Sequence, residues 1–301
     1  MKNQKTPHLG LLALFLFACL VFAAPVKAEA ASFKQCSRDT KIGKYYIWSD
    51  YATKSIRISK SKSGNGSPLV QASSGHNMAN ACISDGSTVY YAEMGSLNSS
   101  GTYTGYVYKI KVNGKSKSKV GSIKNTSGPT AYYKGYLYLD CYDKKDPTLL
   151  HTYRMDVKKG ASKRAIKSAR VVEQSGRYLL AMPNTGAVGP LNLYVYDCKT
   201  GKSTRITTKA SSGHISGNKI YYSEYVAGEY SSSSTFRIRS CSLTGKNKKT
   251  LLKKLQGSRT GIITSKNVYY ILFDSKGNIN YYRYDFKSKK TVKITQTKFK
   301  W

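Results

Sequence analysis

The sequence predicts an all-β protein, a six-bladed β-propeller of four-stranded blades preceded by a signal peptide. One pattern recurs six times with a period of about 44 residues. Each copy holds about four short segments rich in aromatic and β-branched residues, separated by turn residues. No segment keeps an amphipathic 3.6-residue period over three turns, so long helices are not expected. A closed ring of small sheets accounts for these observations because it leaves only short exposed edges.

Each copy is anchored on the second aromatic of a Tyr-Tyr pair or its equivalent. The anchors are spaced by 43, 47, 42, 42 and 48 residues, and they are Trp48, Tyr91, Tyr138, Leu180, Tyr222 and Tyr270. A short segment precedes each anchor and two strand patterns follow it, the second of which is rich in lysine. A β-sandwich is the alternative architecture, but it would not require six copies of one pattern.

Four anchor segments end in an acid: IWSD (Ile47–Asp50), YYAE (Tyr90–Glu93), LYLD (Leu137–Asp140) and YYSE (Tyr221–Glu224). Together with YRMD and YRYD in the next strand pattern, they resemble the YWTD-type repeat. That repeat builds the six-bladed propellers of low-density-lipoprotein-receptor-related proteins. From about residue 33 to 301 the chain is similar to the bacterial propeller domain of this type, found in secreted proteins of uncharacterised function. Copies four (LLAM) and six (YYIL) lack the acid.

The resemblance implies that the acids share one register and are mainly architectural. Asp50 and Asp140 are therefore expected to tie neighbouring blades through hydrogen bonds, since a buried carboxylate needs such partners. The alternative is an acidic ring at one strand end that holds a cation or a basic partner. Ring closure is expected near the chain ends, with SFKQC (32–36) and TKFKW (297–301) as candidates.

Residues 1–30 are predicted to be a signal peptide. Lys2 and Lys5 precede an apolar stretch of 16 residues, and Ala28–Ala30 supply small residues for cleavage. The alternatives are an uncleaved membrane anchor and lipidation at Cys19. Cleavage would leave a propeller domain at 31–301, secreted, extracellular or associated with the cell surface, with no transmembrane span.

The charge of the chain is strongly positive. There are 50 lysines and arginines against 15 acids, a formal net charge of +35. Lysines concentrate in the third strand pattern and the turn before it, where they would block sheet-to-sheet pairing at exposed edges. Mixed charges would protect an edge equally well, so the surplus favours an anionic partner. Candidates are wall polymers, acidic lipid headgroups and sulfated or sialylated glycans, whereas nucleic acid is not expected for an exported chain.

Two histidines occupy the verbatim repeat ASSGH, at 72–76 and 210–214. His76 and His214 precede copies two and five, which lie opposite each other in a six-fold ring, and both are candidates to face a central channel. His76 lies 15 residues before its anchor and His214 lies 8 before, so their registers differ. Two imidazoles are an incomplete metal site, and neither metal nor cofactor is predicted.

Five cysteines follow the signal peptide, an odd number without a C-x-x-C motif, which predicts small buried thiols with at least one unpaired in a monomer. No G-x-S-x-G or H-E-x-x-H motif is present, so no catalytic residue is assigned. Arginines, tyrosines and fragments of an Asp-box keep a secreted, sialidase-like hydrolase or lyase as an alternative function.

The leading functional prediction is a non-enzymatic binding propeller that recognises an anionic glycan, a cell-wall polymer or a partner protein through a basic surface. A structural envelope scaffold is a further alternative. The candidate binding residues are aromatic, acidic or imidazole side chains near strand ends: Trp48, Tyr91, Glu93, His76, His214, Tyr222 and Glu224.

Overall fold

The computed structural model describes residues 32–184, 190–227 and 234–300. The predicted signal peptide therefore lies outside the described residues. Within them, the chain forms β-strands and one short 3-10 helix, Gln296–Lys298, and contains no α-helix. None of the described segments is a helix long and apolar enough to span a bilayer. The all-β prediction is confirmed.

The strands group into six consecutive sets, here called units 1 to 6, and neighbouring strands are antiparallel. After β1 (Lys34–Gln35), unit 1 contains β2 (Ser37–Ile42), β3 (Tyr45–Asp50), β4 (Ser55–Ser59) and β5 (Ser67–Gln71). Unit 2 contains β6 (Asn77–Met78), β7 (Ile83–Ser84), β8 (Thr88–Met94), β9 (Thr104–Lys111) and β10 (Ser118–Lys124). Unit 3 contains β11 (Thr126–Tyr133), β12 (Tyr136–Tyr142), β13 (Leu150–Asp156) and β14 (Ser162–Ile166).

The later units follow the same order. Unit 4 contains β15 (Arg170–Ser175), β16 (Tyr178–Met182), β17 (Leu191–Asp197) and the first part of β18 (Lys202–Ser216). Unit 5 contains the last part of β18, then β19 (Lys219–Ala227), β20 (Ser234–Ser242) and β21 (Lys249–Gly257). Unit 6 contains β22 (Arg259–Ile263), β23 (Asn267–Phe273), β24 (Ile279–Asp285) and β25 (Thr291–Ile294). Because β18 pairs with both β17 and β19, units 4 and 5 form one seven-stranded sheet.

The anchor-bearing strand of each unit is buried on both faces. In β12, five successive residues, 137–141, are buried, and β8 shows the same pattern. In units 2 to 5 a neighbouring unit packs against each side, which accounts for these short continuous apolar runs. The fourth strands, such as β14 and β25, are mostly exposed and carry many of the lysines.

Five clusters of buried side chains lie between successive units. Each cluster draws residues from one unit and the next, from units 1 and 2 through to units 5 and 6. Side-chain hydrogen bonds cross the same boundaries, as when Gln174 of unit 4 donates to the Tyr132 carbonyl of unit 3 at 2.7 Å. Ser212 of unit 5 and Thr260 of unit 6 join their hydroxyls at 2.8 Å. Hydrophobic burial between units is therefore the main source of stability.

The six anchors do not point to one face. Tyr91 and Tyr222 lie in clusters shared with the preceding unit. Tyr138 and Leu180 lie in clusters shared with the following unit. Side chains alternate along a strand, so an alignment shifted by one residue moves a side chain to the opposite face. The single register expected for the strand-end acids is therefore corrected. Asp140 is two residues from Tyr138 and shares its face, which is turned to the following unit, whereas Glu93 and Glu224 share the faces of Tyr91 and Tyr222, which are turned to the preceding unit.

The two chain ends contact different units. Strand β1 pairs with β7 in unit 2, with Gln35 opposite Ile83. At the other end, Phe299 packs against Tyr281 of unit 6 with ring centroids 5.1 Å apart, and the Ile262 N–H donates to the Lys300 carbonyl. Within the described residues no hydrogen bond, ion pair or core cluster joins unit 1 to unit 6. The expected closure between the two terminal segments is therefore not seen there.

Two of the five cysteines lie opposite each other. The five are free thiols, and four of them are buried. The pairing of β1 with β7 continues to Cys36, whose N–H donates to the Cys82 carbonyl at 2.9 Å. Residues directly opposite in an antiparallel pair have Cβ atoms about 4.5–5.5 Å apart, close to the separation that a disulfide needs.

We expect mild oxidation to join Cys36 to Cys82 and to leave the other thiols reduced. The bond would fasten β1 to unit 2 and raise resistance to unfolding by constraining the unfolded chain. Peptide mapping by mass spectrometry under non-reducing conditions checks this, with Cys36→Ser as the control that should remain fully reduced. Recovery of a different cysteine pair, or of none after oxidation, would contradict the expectation.

Candidate functional site

Glu93 is the centre of a buried polar cluster at the end of β8. Its carboxylate accepts hydrogen bonds from Lys117 Nζ at 2.8 Å, from the Ser73 N–H at 3.1 Å and from His76 Nδ1 at 3.2 Å. The His76 ring stacks on Tyr106 with centroids 5.1 Å apart. Burial alone would raise the pKa of Glu93, but these hydrogen bonds outweigh it and lower the pKa. Two predicted site residues, His76 and Glu93, are thus brought together.

The other predicted histidine occupies a different setting. His214 Nδ1 lies 3.6 Å from Glu173 of unit 4, and the Ile215 N–H donates to the same carboxylate at 2.7 Å. His214 therefore contacts the junction of units 4 and 5 and shares no partner with His76. In the parts of the chain that the structure describes, no group of three or more His, Cys, Asp or Glu side chains converges as a metal ion would require.

Glu224 is held by two arginines of the neighbouring strand. Arg239 Nη1 lies 3.3 Å and Arg237 Nη1 lies 4.0 Å from its carboxylate. Arg177 is paired in a similar way with Asp197 at 3.3 Å. These arginines have local acidic partners, so they are engaged within their own units rather than gathered around a substrate.

The three aromatic candidates lie in the interior. Tyr91 and Tyr222 are fully buried, and Trp48 is 6% exposed. The Arg38 guanidinium lies over the Trp48 ring at 4.8 Å. Burial raises the pKa of both tyrosines well above the ordinary value. Their rings pack in the core and offer no exposed face on which a sugar could stack.

The two acids expected to be structural differ in their surroundings. Asp50 lies 3.9 Å from Arg57 and accepts a hydrogen bond from the Thr53 N–H at 3.3 Å. Burial opposes ionisation of Asp50, but the Thr53 hydrogen bonds and the Arg57 charge lower its pKa. Asp140 is 3% exposed and accepts from the Thr152 hydroxyl at 2.8 Å and from the Val171 N–H of unit 4 at 3.3 Å.

Burial raises the pKa of Asp140 to about 7, although its hydrogen bonds act in the opposite direction. The Thr152 hydroxyl lies within reach of both Asp140 and the Ala169 carbonyl. A protonated Asp140 can donate to this hydroxyl, which can then donate to the Ala169 carbonyl. The neutral carboxyl therefore suits the site where unit 3 meets unit 4.

In a third histidine–carboxylate pair, both ring nitrogens of the histidine have hydrogen-bond partners. His151 Nε2 donates to Asp143 at 2.9 Å, while its Nδ1 accepts from the Ser168 N–H at 2.8 Å. The hydrogen bond from His151 lowers the pKa of Asp143. Since both ring nitrogens are used, this pair has no free basic nitrogen to offer a substrate.

Many of the exposed lysines lie at one edge of the sheets, and others lie on the outer strands and at the opposite edge. Because consecutive strands are antiparallel, the turn before the anchor-bearing strand and the turn after the strand that follows it lie at the same edge, here called the hairpin edge. Its exposed lysines lie in these turns or directly beside them: Lys44, Lys60, Lys62, Lys111, Lys115, Lys117, Lys134, Lys158, Lys159, Lys199, Lys202, Lys219, Lys246, Lys248, Lys249, Lys266, Lys287, Lys289 and Lys290. The strand-end acids, including Glu93 and Glu224, lie at the opposite edge.

Few of these charges have acidic partners. In the described ranges, the lysine ion pairs are Lys62 with Asp39 at 3.0 Å and Lys117 with Glu93. The acids that begin the hairpin turns bind their own backbones: Asp156 accepts from the Lys158 N–H at 2.8 Å, and Asp285 accepts in the same way within its turn. The hairpin edge therefore keeps a large positive surplus.

The sequence predicts this edge only in part. Lysines before the third strand pattern are expected to be exposed, and basic residues also recur in or beside the turn before the anchor strand. Five of the six copies carry a basic residue there: Lys44, Lys134, Arg177, Lys219 and Lys266. This recurrence at a single turn was the sign of a shared basic edge.

Comparison with known proteins establishes the fold. No protein-family model matches the chain, and no curated protein matches it. Among solved structures it is similar to an oligogalacturonate lyase from Vibrio parahaemolyticus, with a TM-score of 0.56 and 8% identity over 85% of this chain and 77% of that one. It is also similar to a Mycobacterium tuberculosis puromycin-hydrolyzing peptidase, with a TM-score of 0.50 and 12% identity over 87% of this chain. The chain spans only 44% of that peptidase.

The β-propeller domain of the trilobed protease from Pyrococcus furiosus also matches, with a TM-score of 0.48 and 14% identity over 71% of this chain and 69% of that one. The likenesses with TM-scores of 0.56 and 0.50 show the fold alone, because the identities are low. The chain has a β-propeller fold, and the prediction of a propeller is confirmed.

We expect the stability of the protein to fall as the pH rises from about 4 to about 7, by up to about 4 kcal/mol from Asp140. The folded state binds the Asp140 proton more tightly than the unfolded chain, so this contribution is complete at low pH and is lost as the carboxyl ionises. Asp140→Asn should remove this pH dependence in urea unfolding. Asp50→Asn is the matched control, and because the pKa of Asp50 is lowered it removes stability that is present only at higher pH. An unchanged pH profile in Asp140→Asn would contradict the assignment.

Proposed function

We propose that the protein is a secreted, non-enzymatic β-propeller that binds an anionic glycan or cell-wall polymer through its hairpin edge. The observation that carries the proposal is the concentration of exposed lysines at that edge with almost no acidic partners. A polyanion presents many charges at once, and each contact with a lysine releases a condensed counterion. Flexible lysines suit a polymer because they adjust to its spacing without a fixed geometry.

The proposal includes the finer architecture and the route of the chain. The six units would form six blades of the YWTD type, and residues 1–30 would direct export and be removed. The mature chain would then meet its ligand outside the cell, in solution or at the cell surface. Trp48, Tyr91 and Tyr222 are left out of the binding surface because they are buried.

The strand-end cluster of Glu93 and His76 has a separate place in the proposal. It lies at the edge opposite the lysines, where the acids are already paired with cations of the same protein. We assign it to holding the loop at residues 73–76 against unit 2, and we assign Glu224 to the equivalent task beside Arg239. These sites are not part of the proposed contact with the polymer.

We expect affinity for an anionic polysaccharide to fall steeply with salt. Binding of fluorescein-labelled dextran sulfate, followed by anisotropy, should weaken by at least about tenfold between 50 and 200 mM salt, because several phosphate-like or sulfate contacts are broken together. Neutral dextran of equal length is the ligand control and should not bind. Salt-independent affinity for dextran sulfate would overturn the polyanion proposal.

We also expect the affinity for dextran sulfate to depend on which edge of the sheets carries the substituted lysines, and not on net charge alone. Replacing Lys287, Lys289 and Lys290 with glutamate should weaken dextran sulfate binding more than replacing Lys144, Lys145 and Lys276, which are exposed at the opposite edge. Both triple variants change the net charge equally. Equal weakening would contradict binding at the hairpin edge, and turnover of an anionic glycan by the wild type would favour the hydrolase or lyase alternative.

A further inference from the structure

A cavity of about 320 Å³ opens between units 3 and 4 at the hairpin edge. Its lining combines three cationic residues of unit 3, Arg154, Lys163 and Arg164, with Tyr196 of β17 and with Lys199 and Thr200 of the turn that follows β17 in unit 4. No carboxylate is among its lining residues. Four cationic residues thus border one cavity, and no acidic residue among its lining balances their charges.

The arrangement of these cations carries an energetic cost in the absence of a ligand. Arg154 of β13 lies directly opposite Lys163 of β14. Like charges that face each other across an antiparallel pair destabilise a sheet. Arg164, the next residue of β14 and the partner of Tyr153, also borders the cavity and places a further positive charge beside it. An anion between these side chains would convert the repulsion into attraction.

Two other arginines hold the same position opposite an anchor and give an internal comparison. Arg57 lies opposite Trp48, pairs with Asp50 and donates to the Asn65 and Gly66 carbonyls at 2.9 and 2.6 Å. Arg239 lies opposite Tyr222 and pairs with Glu224. The Arg57 guanidinium is therefore held by acceptors of the protein, and Arg239 has a carboxylate partner at Nη1 while its buried Nε has no hydrogen-bond partner among the described residues.

Arg154 lies opposite Tyr138 but differs in its partners. Its nearest equivalent acid, Asp140, is turned to Thr152 and Val171 instead. Among the described residues no side chain or carbonyl accepts a hydrogen bond from Arg154. The guanidinium lies over the Tyr136 ring at 4.4 Å, which fixes its plane and leaves its N–H groups free for a ligand.

We propose that this cavity is a binding site for a tetrahedral oxyanion, a phosphate or sulfate ester group carried on the polymer. The site rests on the proposed function and deepens it by naming the chemical group that the hairpin edge recognises. Planar guanidinium groups bind such oxygens in a bidentate manner, and the two lysines and the Thr200 hydroxyl supply further donors. A carboxylate carries one charge and two oxygens, so it engages fewer of these donors than a tetrahedral ester.

A second basic cavity, in unit 5, is a weaker candidate. It measures about 480 Å³ and is lined by Lys219, Lys248 and Lys249. Lys248 Nζ already donates to the Ile206 carbonyl at 2.6 Å. Without a guanidinium group, and with one ammonium engaged, this cavity has no fixed fork of donors for an oxyanion.

The test is calorimetric titration of inorganic phosphate, inorganic sulfate and acetate into the mature chain, the wild type and two variants. Arg154→Gln should weaken phosphate and sulfate binding by at least about tenfold. Lys293→Gln is the charge-matched control. Lys293 is exposed and lies opposite Tyr282, so in unit 6 it holds the place that Lys163 holds in unit 3. It removes the same charge and should leave small-anion binding unchanged.

Arg154→Lys keeps the charge and loses the fork, so it should also weaken both tetrahedral anions. If the Arg154 variants fail to fold, Lys163→Gln tests the same site, because Lys163 is exposed. It should also weaken the binding of phosphate and of sulfate. Acetate binding as tight as that of phosphate, or equal losses in Arg154→Gln and Lys293→Gln, would overturn the site. Absence of saturable binding of either tetrahedral anion to the wild type would overturn it as well.

Parallel titrations with polyphosphate and dextran sulfate separate the two sources of the group and the two levels of the proposal. Tighter, Arg154-dependent binding of one polymer identifies phosphate or sulfate as the natural group, and either result supports the site. Salt-sensitive polymer binding that ignores Arg154→Gln would overturn the site while leaving the proposed function intact. If the wild type binds neither polymer but still binds phosphate in a manner that depends on Arg154, the proposed function is overturned and only the small-anion site remains.

Discussion

The fold depends on the burial of each anchor-bearing strand between two neighbouring sheets. Strand β12 places five successive side chains in the interior, and clusters at both of its faces draw on units 2 and 4. Such burial releases water from apolar surface on both sides of one strand, which no single hairpin could achieve. It also leaves most lysines exposed, at the strand ends, in the turns and on the fourth strands. The distribution of lysines is therefore a consequence of packing as well as of function.

Burial also decides what each acid can do. The carboxylates of Glu93 and Glu224 contact cationic side chains, whereas the carboxyl group of Asp140 contacts a hydroxyl and a backbone amide in a buried site. The same sequence pattern therefore yields an ionised carboxylate in one unit and a carboxyl with a pKa near neutrality in another. Because Asp140 does not reach Arg154, that arginine remains available. The hydrogen bonds of Asp140 to Thr152 and Val171 thus connect the packing of unit 3 against unit 4 to the basic cavity beside it.

Much of the fold could be predicted from the sequence. The all-β class, the repeat and the anchor-bearing strands follow from periodicity and aromatic pairs, because these residues report burial directly. The side of the sheet on which Tyr138 and Leu180 lie could not be predicted from the sequence, since a tyrosine or a leucine suits either side of a strand that is buried on both faces. The pairing of His76 with Glu93 was also hidden, because it depends on how the loop at 73–76 folds back. The basic turns before the anchor strands were visible in the sequence, but their common edge required the strand order.

The proposed function requires that the protein bind an anionic polymer with its hairpin edge. Lysine acetylation read by mass spectrometry, with and without the polymer, tests this requirement residue by residue in the intact chain. We expect protection of hairpin-edge lysines such as Lys134, Lys159 and Lys289, and unchanged labelling of Lys54, Lys144 and Lys276 at the opposite edge. Equal protection at both edges, or protection confined to the opposite edge, would contradict it.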